Sequence, residues 1–164
     1  RACVFVRMSI SPAIESGRMS LPDLKPNAPP LLDLDASNER DAITATAGLL
    51  KNSREIGDHA GFLEAVFDRQ QVNPPILGDV VALPHARTAW VSEIVFAAGR
   101  CAEPVAFGPE GKPVRLIFLF GIPPHRISEY LAVTAALVRR LRKPEVLEGL
   151  LAARTPDEFL GWLG

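Results

Sequence analysis

Proline decides where this chain can carry regular structure. Pro holds φ near about −65° and has no N–H, so helix interiors and central strands exclude it. The 164 residues contain 15 prolines. Pro12, Pro22, Pro26, Pro29 and Pro30 all precede residue 31, which predicts an extended N-terminal arm over residues 1–30. The others cut residues 31–164 into short segments, whose ends the elements must respect.

Leu31-Leu32-Asp33-Leu34 alternates and can form a short strand. Ser37 and Asn38 precede Glu39, Arg40 and Asp41, a capped helix start with acids in its first turn. Ile43, Ala47 and Leu50 follow at helical spacing, and Asn52-Ser53 marks the stop. A second helix is expected from Asp58, with Phe62, Val66 and Arg69 along one side. It ends before Asn73-Pro74-Pro75, because a residue preceding Pro avoids the α region. Val80-Val81-Ala82-Leu83 reads as a buried strand stopped by Pro84, and Ser92–Ala98 and Val114–Phe120 as two more. Gly108 to Pro113 is a turn by composition.

Beyond this, Ile127, Leu131, Thr134, Ala135, Val138 and Leu141 share one helical face, with Arg139, Arg140 and Arg142 in the last turns. Pro144 opens a further helix carrying Val146, Leu147, Leu150 and Leu151. Thr155-Pro156-Asp157-Glu158 caps a closing helix that buries Phe159, Leu160, Trp162 and Leu163. Strands interleaved with helices predict an α/β domain with helices over the sheet. At 48% hydrophobic residues the chain has enough apolar material for a core.

Several functional classes are disfavoured. A net charge of −1 and a pI near 6.4 lack the cationic excess that neutralises phosphates, so no nucleic-acid partner is expected. The run Leu116–Pro124 is far shorter than the roughly 20 residues that cross a bilayer. The reading is a cytoplasmic domain without membrane insertion, possible as a piece of something longer because it does not begin with Met. Cys3 and Cys101 are too few for a disulfide framework or a thiolate zinc site, and Cys101 is placed at a strand end. His59, His85 and His125 lack metal-ligand spacing, and no phosphate- or dinucleotide-binding loop occurs. Neither metal nor cofactor is expected. His59 reads as a surface residue and His125 as a solvated loop residue.

His85 stands apart. It follows a strand that Pro84 terminates, a position where α/β sheets keep their chemistry, and Ala86 leaves room for an approaching partner. By itself this setting also suits a structural histidine bonded to backbone.

The stretch from Arg69 to Ala86 adds more. Arg69, Gly78, Ala82, Leu83, Pro84, His85 and Ala86 fall without a gap on a pattern of Arg-Glu, Thr, Gly, then aliphatic-Ala-aliphatic-Pro-His-small. That pattern resembles the enzyme IIA domains of the bacterial phosphoenolpyruvate:sugar phosphotransferase system, in the fructose/mannitol/nitrogen-regulatory class. The resemblance covers residues 31–164, through Pro104–Phe107 with Lys112–Val114 to the tail Leu150–Phe159.

The resemblance implies a mixed β-sheet flanked by helices on both faces. It also implies a histidine, here His85, that takes a phosphoryl group from the phosphocarrier HPr. The group passes to a IIB partner, or its presence signals to a regulated target protein. Arg69 is the implied electrostatic clamp, since a planar guanidinium matches phosphoryl oxygens. Gln70 stands where the family has Glu, Pro75 where it has Thr, and Tyr130 where it has a second His. Tyr130 can donate a hydrogen bond to a phosphoryl oxygen. These replacements leave open an alternative, a non-enzymatic regulatory or interaction module on the same fold, linked to a transporter.

Overall fold

The computed structural model describes residues 25–164, so the arm expected over residues 1–30 lies outside the described residues as far as residue 24. The described part of that segment lies against the sheet. The Asn27 N–H donates to the Phe96 carbonyl and its Oδ1 accepts from the Phe96 N–H, both at 2.8 Å. Pro30 is buried.

Eleven elements follow: β1 (Leu31–Leu34), α1 (Glu39–Gly48), α2 (His59–Val72), β2 (Ile76–Leu77), β3 (Val81–Ala82), β4 (His85–Arg87), β5 (Val95–Phe107), β6 (Lys112–Ile122), α3 (Ile127–Leu141), α4 (Pro144–Ala152) and α5 (Pro156–Leu163). The sheet runs β1-β5-β6-β3-β2, with β4 also paired to β6. Its spine is the antiparallel hairpin β5–β6, turned through Gly108 and Gly111 at φ 69° and 62°, where a side chain would be strained. β1 joins β5 in parallel, β3 and β4 join β6 in parallel, and β2 joins β3 antiparallel. The α/β class is as expected from the sequence and the mixed sheet as the resemblance implies. The strands expected at Ser92–Ala98 and Val114–Phe120 overlap the longer β5 and β6, which run through Pro104 and Pro113.

Apolar side chains of the hairpin divide between two cores. Val95, Ala97, Ile117 and Leu119 pack with Ile43, Phe62 and Val66 from α1 and α2. Phe96, Leu116, Phe118 and Phe120 pack with Leu137, Leu150 and Phe159 from α3, α4 and α5. Helices therefore cover both faces. Burial on both sides explains why the two strands read as continuous apolar runs rather than alternating ones. Gly121 is required by close approach, since a Cβ there would lie 2.7 Å from Val95 Cγ2 and 2.8 Å from Phe62 Cε2.

The caps form as anticipated at two helices. Asn38 Oδ1 accepts from the Asp41 N–H at 2.9 Å, and Thr155 Oγ1 from the Glu158 N–H at 3.1 Å. Other expectations are corrected. α1 ends at Gly48, and turns carry the chain on toward Ser53. α3 buries Tyr130, Ala136, Leu137 and Leu141, while Leu131 is 58% exposed. The expected stripe was rotated by about one position because it counted forward from Ile127, which only half packs. In α5 Trp162 is 39% exposed and lies across Gly149 of α4 rather than in the core. Cys101 is fully buried inside β5, not at a strand end. His59 is half-buried, its Nε2 2.8 Å from the Ala47 carbonyl, and so ties α2 to α1 instead of facing solvent. His125 is exposed in the turn before α3.

Candidate active site

Pro84 interrupts the third strand without ending its ladder. It lacks an N–H, but its carbonyl accepts from the Phe120 N–H at 3.0 Å, and pairing with β6 resumes at once, His85 opposite Phe120. Val80 keeps the β3 side in register by accepting from the Arg115 and Leu116 N–H groups. The segment expected to stop at Leu83 is thus two short parallel strands, and His85 opens the second.

Alternation along β4 sets the side chains. Ala86 packs into the core with α1 and α2, so His85 and Arg87 point the other way. There the imidazole meets Tyr130 from the first turn of α3, ring centroids 5.4 Å apart and planes inclined by 35°. The Tyr130 ring is wedged edge-on against Phe120 at 5.6 Å. Ahead of it Arg126 is held by Glu129 at 2.9 Å and by Glu93 at 3.1 Å, fixing the start of α3 to the segment that leads into β5. Arg69 comes from the last turn of α2, where its Nη1 donates to the Asn73 carbonyl at 3.0 Å.

The imidazole has a defined tautomer. Its Nδ1 lies 3.0 Å from the Leu83 carbonyl. A carbonyl only accepts, so Nδ1 carries the hydrogen and neutral His85 keeps its lone pair on Nε2. Leu83 is itself anchored, its N–H donating to the Pro75 carbonyl at 2.9 Å. Pro75, which brings no N–H of its own, supplies the acceptor that this anchor needs.

Burial holds the His85 pKa below its ordinary value; the Leu83 bond pulls it up and the Arg69 charge adds to the lowering. Burial pushes the Tyr130 phenol up to about 12, against a downward pull from Arg69. At neutral pH the arrangement therefore presents an uncharged nucleophilic nitrogen, a phenol that keeps its proton, and a cation whose field reaches both.

His85 does not line the cleft of about 260 Å³ that opens between α1, α2 and the β5–β6 turn; Glu39, Gln70, Pro74 and Gly108 do. The imidazole sits half-buried at the surface instead. Of the residues singled out from sequence, His85 and Tyr130 are in contact and Arg69 is close enough to act on both. His125 lies exposed in the turn before α3. Sequence reasoning missed Arg87, an exposed cation two residues from His85 on the same strand face; a period of two from His85 was the available signal. It also missed the structural partner of Gln70, whose Nε2 donates to Glu39 Oε1 at 2.6 Å. Nothing local to either residue announces a contact 31 positions away.

Comparison with known proteins places the fold and its family. The family model described as "Phosphoenolpyruvate-dependent sugar phosphotransferase system, EIIA 2" matches residues 30–163. The chain is 34% identical over 132 residues to the PTS system 2-O-alpha-mannosyl-D-glycerate-specific EIIABC component of Escherichia coli. That match takes in 77% of this chain but only 20% of that protein. The crystal structure of nitrogen regulatory protein IIA-Ntr from Neisseria meningitidis superposes with a TM-score of 0.75 at 30% identity, over 83% of this chain and 93% of the other. The mannitol IIA enzyme of Escherichia coli, solved in complex with phosphorylated IIB, shares the fold with a TM-score of 0.74 at 22% identity, over 85% and 96%. Since the matched stretch takes in all the elements described, the chain belongs to the EIIA 2 family of the phosphoenolpyruvate-dependent sugar phosphotransferase system.

Proposed function

We propose that this chain is a phosphoryl-carrying domain in which His85 Nε2 takes a phosphoryl group from an HPr-like carrier. It then gives the group to a IIB-type partner or holds it as a signal to a regulated target. The observation that carries the reading is the 3.0 Å contact between Nδ1 and the Leu83 carbonyl, which leaves Nε2 as the free nucleophile.

In the transfer the Nε2 lone pair forms the new N–P bond. The donor's bond to phosphorus breaks, and its electron pair stays on the donor atom. The ring gains positive charge, which the Nδ1–H bond to Leu83 helps to hold in place. Phosphoryl transfer passes through a loose transition state, so positioning and charge neutralisation supply most of the catalysis. Arg69 is the clamp for the phosphoryl oxygens and Tyr130 a neutral donor; Arg87 adds positive charge to the same face.

A protein donor suits the surface. Val72, three residues beyond Arg69, and Leu131, next to Tyr130, are large apolar side chains left exposed. The imidazole itself is half-buried at the surface and outside the cleft, where a protein partner can reach it. The IIB partner is carried over from the mannitol complex, and a cytoplasmic setting follows from these partners. The replacements at 70, 75 and 130 count less toward a non-enzymatic module than they do in sequence. Pro75 still anchors Leu83, and Tyr130 still faces His85.

The test is intact mass after incubation with phosphoenolpyruvate, enzyme I and HPr. One added phosphoryl group, absent from His85→Ala, is expected. No addition to the wild-type chain with a competent HPr would overturn the proposal.

A further inference from the structure

The residue after Arg69 is placed at odds with simple stability. Gln70 is only 7% exposed in the last turn of α2, and its Oε1 is buried without a donor among the described residues. A buried acceptor left unpaired costs stability, and an apolar side chain of similar size would remove that cost. What Gln70 does provide is one directed bond, Nε2 to Glu39 Oε1 at 2.6 Å. The other oxygen of Glu39 accepts from the Gly108 N–H at 3.3 Å. One carboxylate at the start of α1 thereby ties together three separate pieces of chain: α1, the end of α2 and the β5–β6 turn.

The end of α2 matters for two reasons. Adjacent residues on a helix point about 100° apart, so pinning Gln70 inward sets the direction of Arg69. The chain then continues through Pro74 to Pro75, whose carbonyl anchors Leu83, and the Leu83 carbonyl holds the His85 proton. Clamp and nucleophile both hang from the turn that Glu39 holds.

We infer that Glu39 is a positioning residue, acting through Gln70 to aim Arg69 at the phosphoryl group on His85. This rests on the reading of Arg69 as the clamp. Glu39 touches no reacting atom. It borders the cleft between α1, α2 and the β5–β6 turn, so water can fill the space left by truncation without collapse of the fold.

The experiment uses the full chain and three variants: Glu39→Ala, Gln70→Leu, and the exchanged pair Glu39→Gln with Gln70→Glu, which restores one amide-to-carboxylate bond with donor and acceptor reversed. Two readouts are taken, the NMR resonance of the Arg69 Nε–H group and the rate of phosphoryl transfer from HPr. In Glu39→Ala and Gln70→Leu the resonance should move. The maximal rate should fall about 10- to 100-fold with KM for HPr unchanged, the loss typical of a misplaced catalytic group. Gln70→Leu should do so without a lower thermal midpoint, which separates aim from stability. The exchanged pair should recover most of the rate. An unmoved Arg69 resonance, an unchanged rate in the single variants, or an exchanged pair no better than they are would each overturn the inference. If the wild-type chain accepts no phosphoryl group, the proposed function fails, while the Arg69 resonance still decides the role of Glu39.

Discussion

Replacing Arg69 with Gln tests the electrostatics of the site in three observables at once. A hydrogen bond to a charged group contributes about 1.5–3 kcal/mol. At 1.36 kcal/mol per tenfold in rate, losing one such bond in the transition state slows transfer about 10- to 150-fold. The fold should survive, because among the described residues the only protein bond lost is that from Nη1 to the Asn73 carbonyl at an exposed helix end, a loss of about 1 kcal/mol. The Arg69 charge lowers both the His85 and the Tyr130 pKa. Its removal therefore moves both upward, while His85 stays below its ordinary value because burial is the larger cause. The rate is measured by rapid quench with phosphorylated HPr, and the His85 titration by ring-nitrogen NMR. A rate within twofold of wild type, or a His85 pKa that stays put or falls, would refute the role given to Arg69.

Three further outcomes follow from the geometry. Tyr130→Phe removes a neutral donor worth about 0.5–1.5 kcal/mol, so transfer should slow about 2- to 12-fold in the same assay, with the fold intact. Arg100 is buried and donates to the Leu32, Leu150 and Ala153 carbonyls at 3.0, 3.0 and 2.7 Å; Arg100→Met leaves these acceptors without their donor and should lower the unfolding free energy by about 3 kcal/mol or more in urea titration. The His85 pKa is lower in the fold than in the unfolded chain, so below about pH 6.5 the unfolded state binds the extra proton first. Its share of stability is whole above that pH and shrinks as pH falls toward the folded-state value. Between about pH 7 and 5 the wild type should lose more stability than His85→Asn; parallel losses would contradict the burial of the imidazole.

Much of the site was legible in one sequence window because its chemistry is local. Pro84, His85 and Ala86 sit together, and Leu83 is near enough to hold the ring through its own carbonyl. Arg69 belongs to the helix that precedes them, and Asn73-Pro74-Pro75 states where that helix must stop. Tyr130 could be placed only by resemblance, since 45 residues separate it from His85 and no short-range pattern links them. The missed facts share that origin. The buried face of α3 depends on which side meets Phe120, and counting from the half-buried Ile127 selects a neighbouring stripe. His59 looked solvated because its partner is the Ala47 carbonyl, a backbone group with no sequence signature.

Taken by itself, the amino-acid order determined the helix caps, the α/β class and the candidate histidine, but not the strand ends, since β5 and β6 run through Pro104 and Pro113. Proline, caps and apolar period act within a few residues and so can be read there. Tertiary structure alone decided that the ladder resumes after Pro84, because a parallel partner asks that position for an acceptor and Pro retains one. It alone also decided that Glu39 meets Gln70 beside Arg69. Contacts between side chains far apart in the chain are settled by how the two helices pack on the sheet, and no local propensity contains that information.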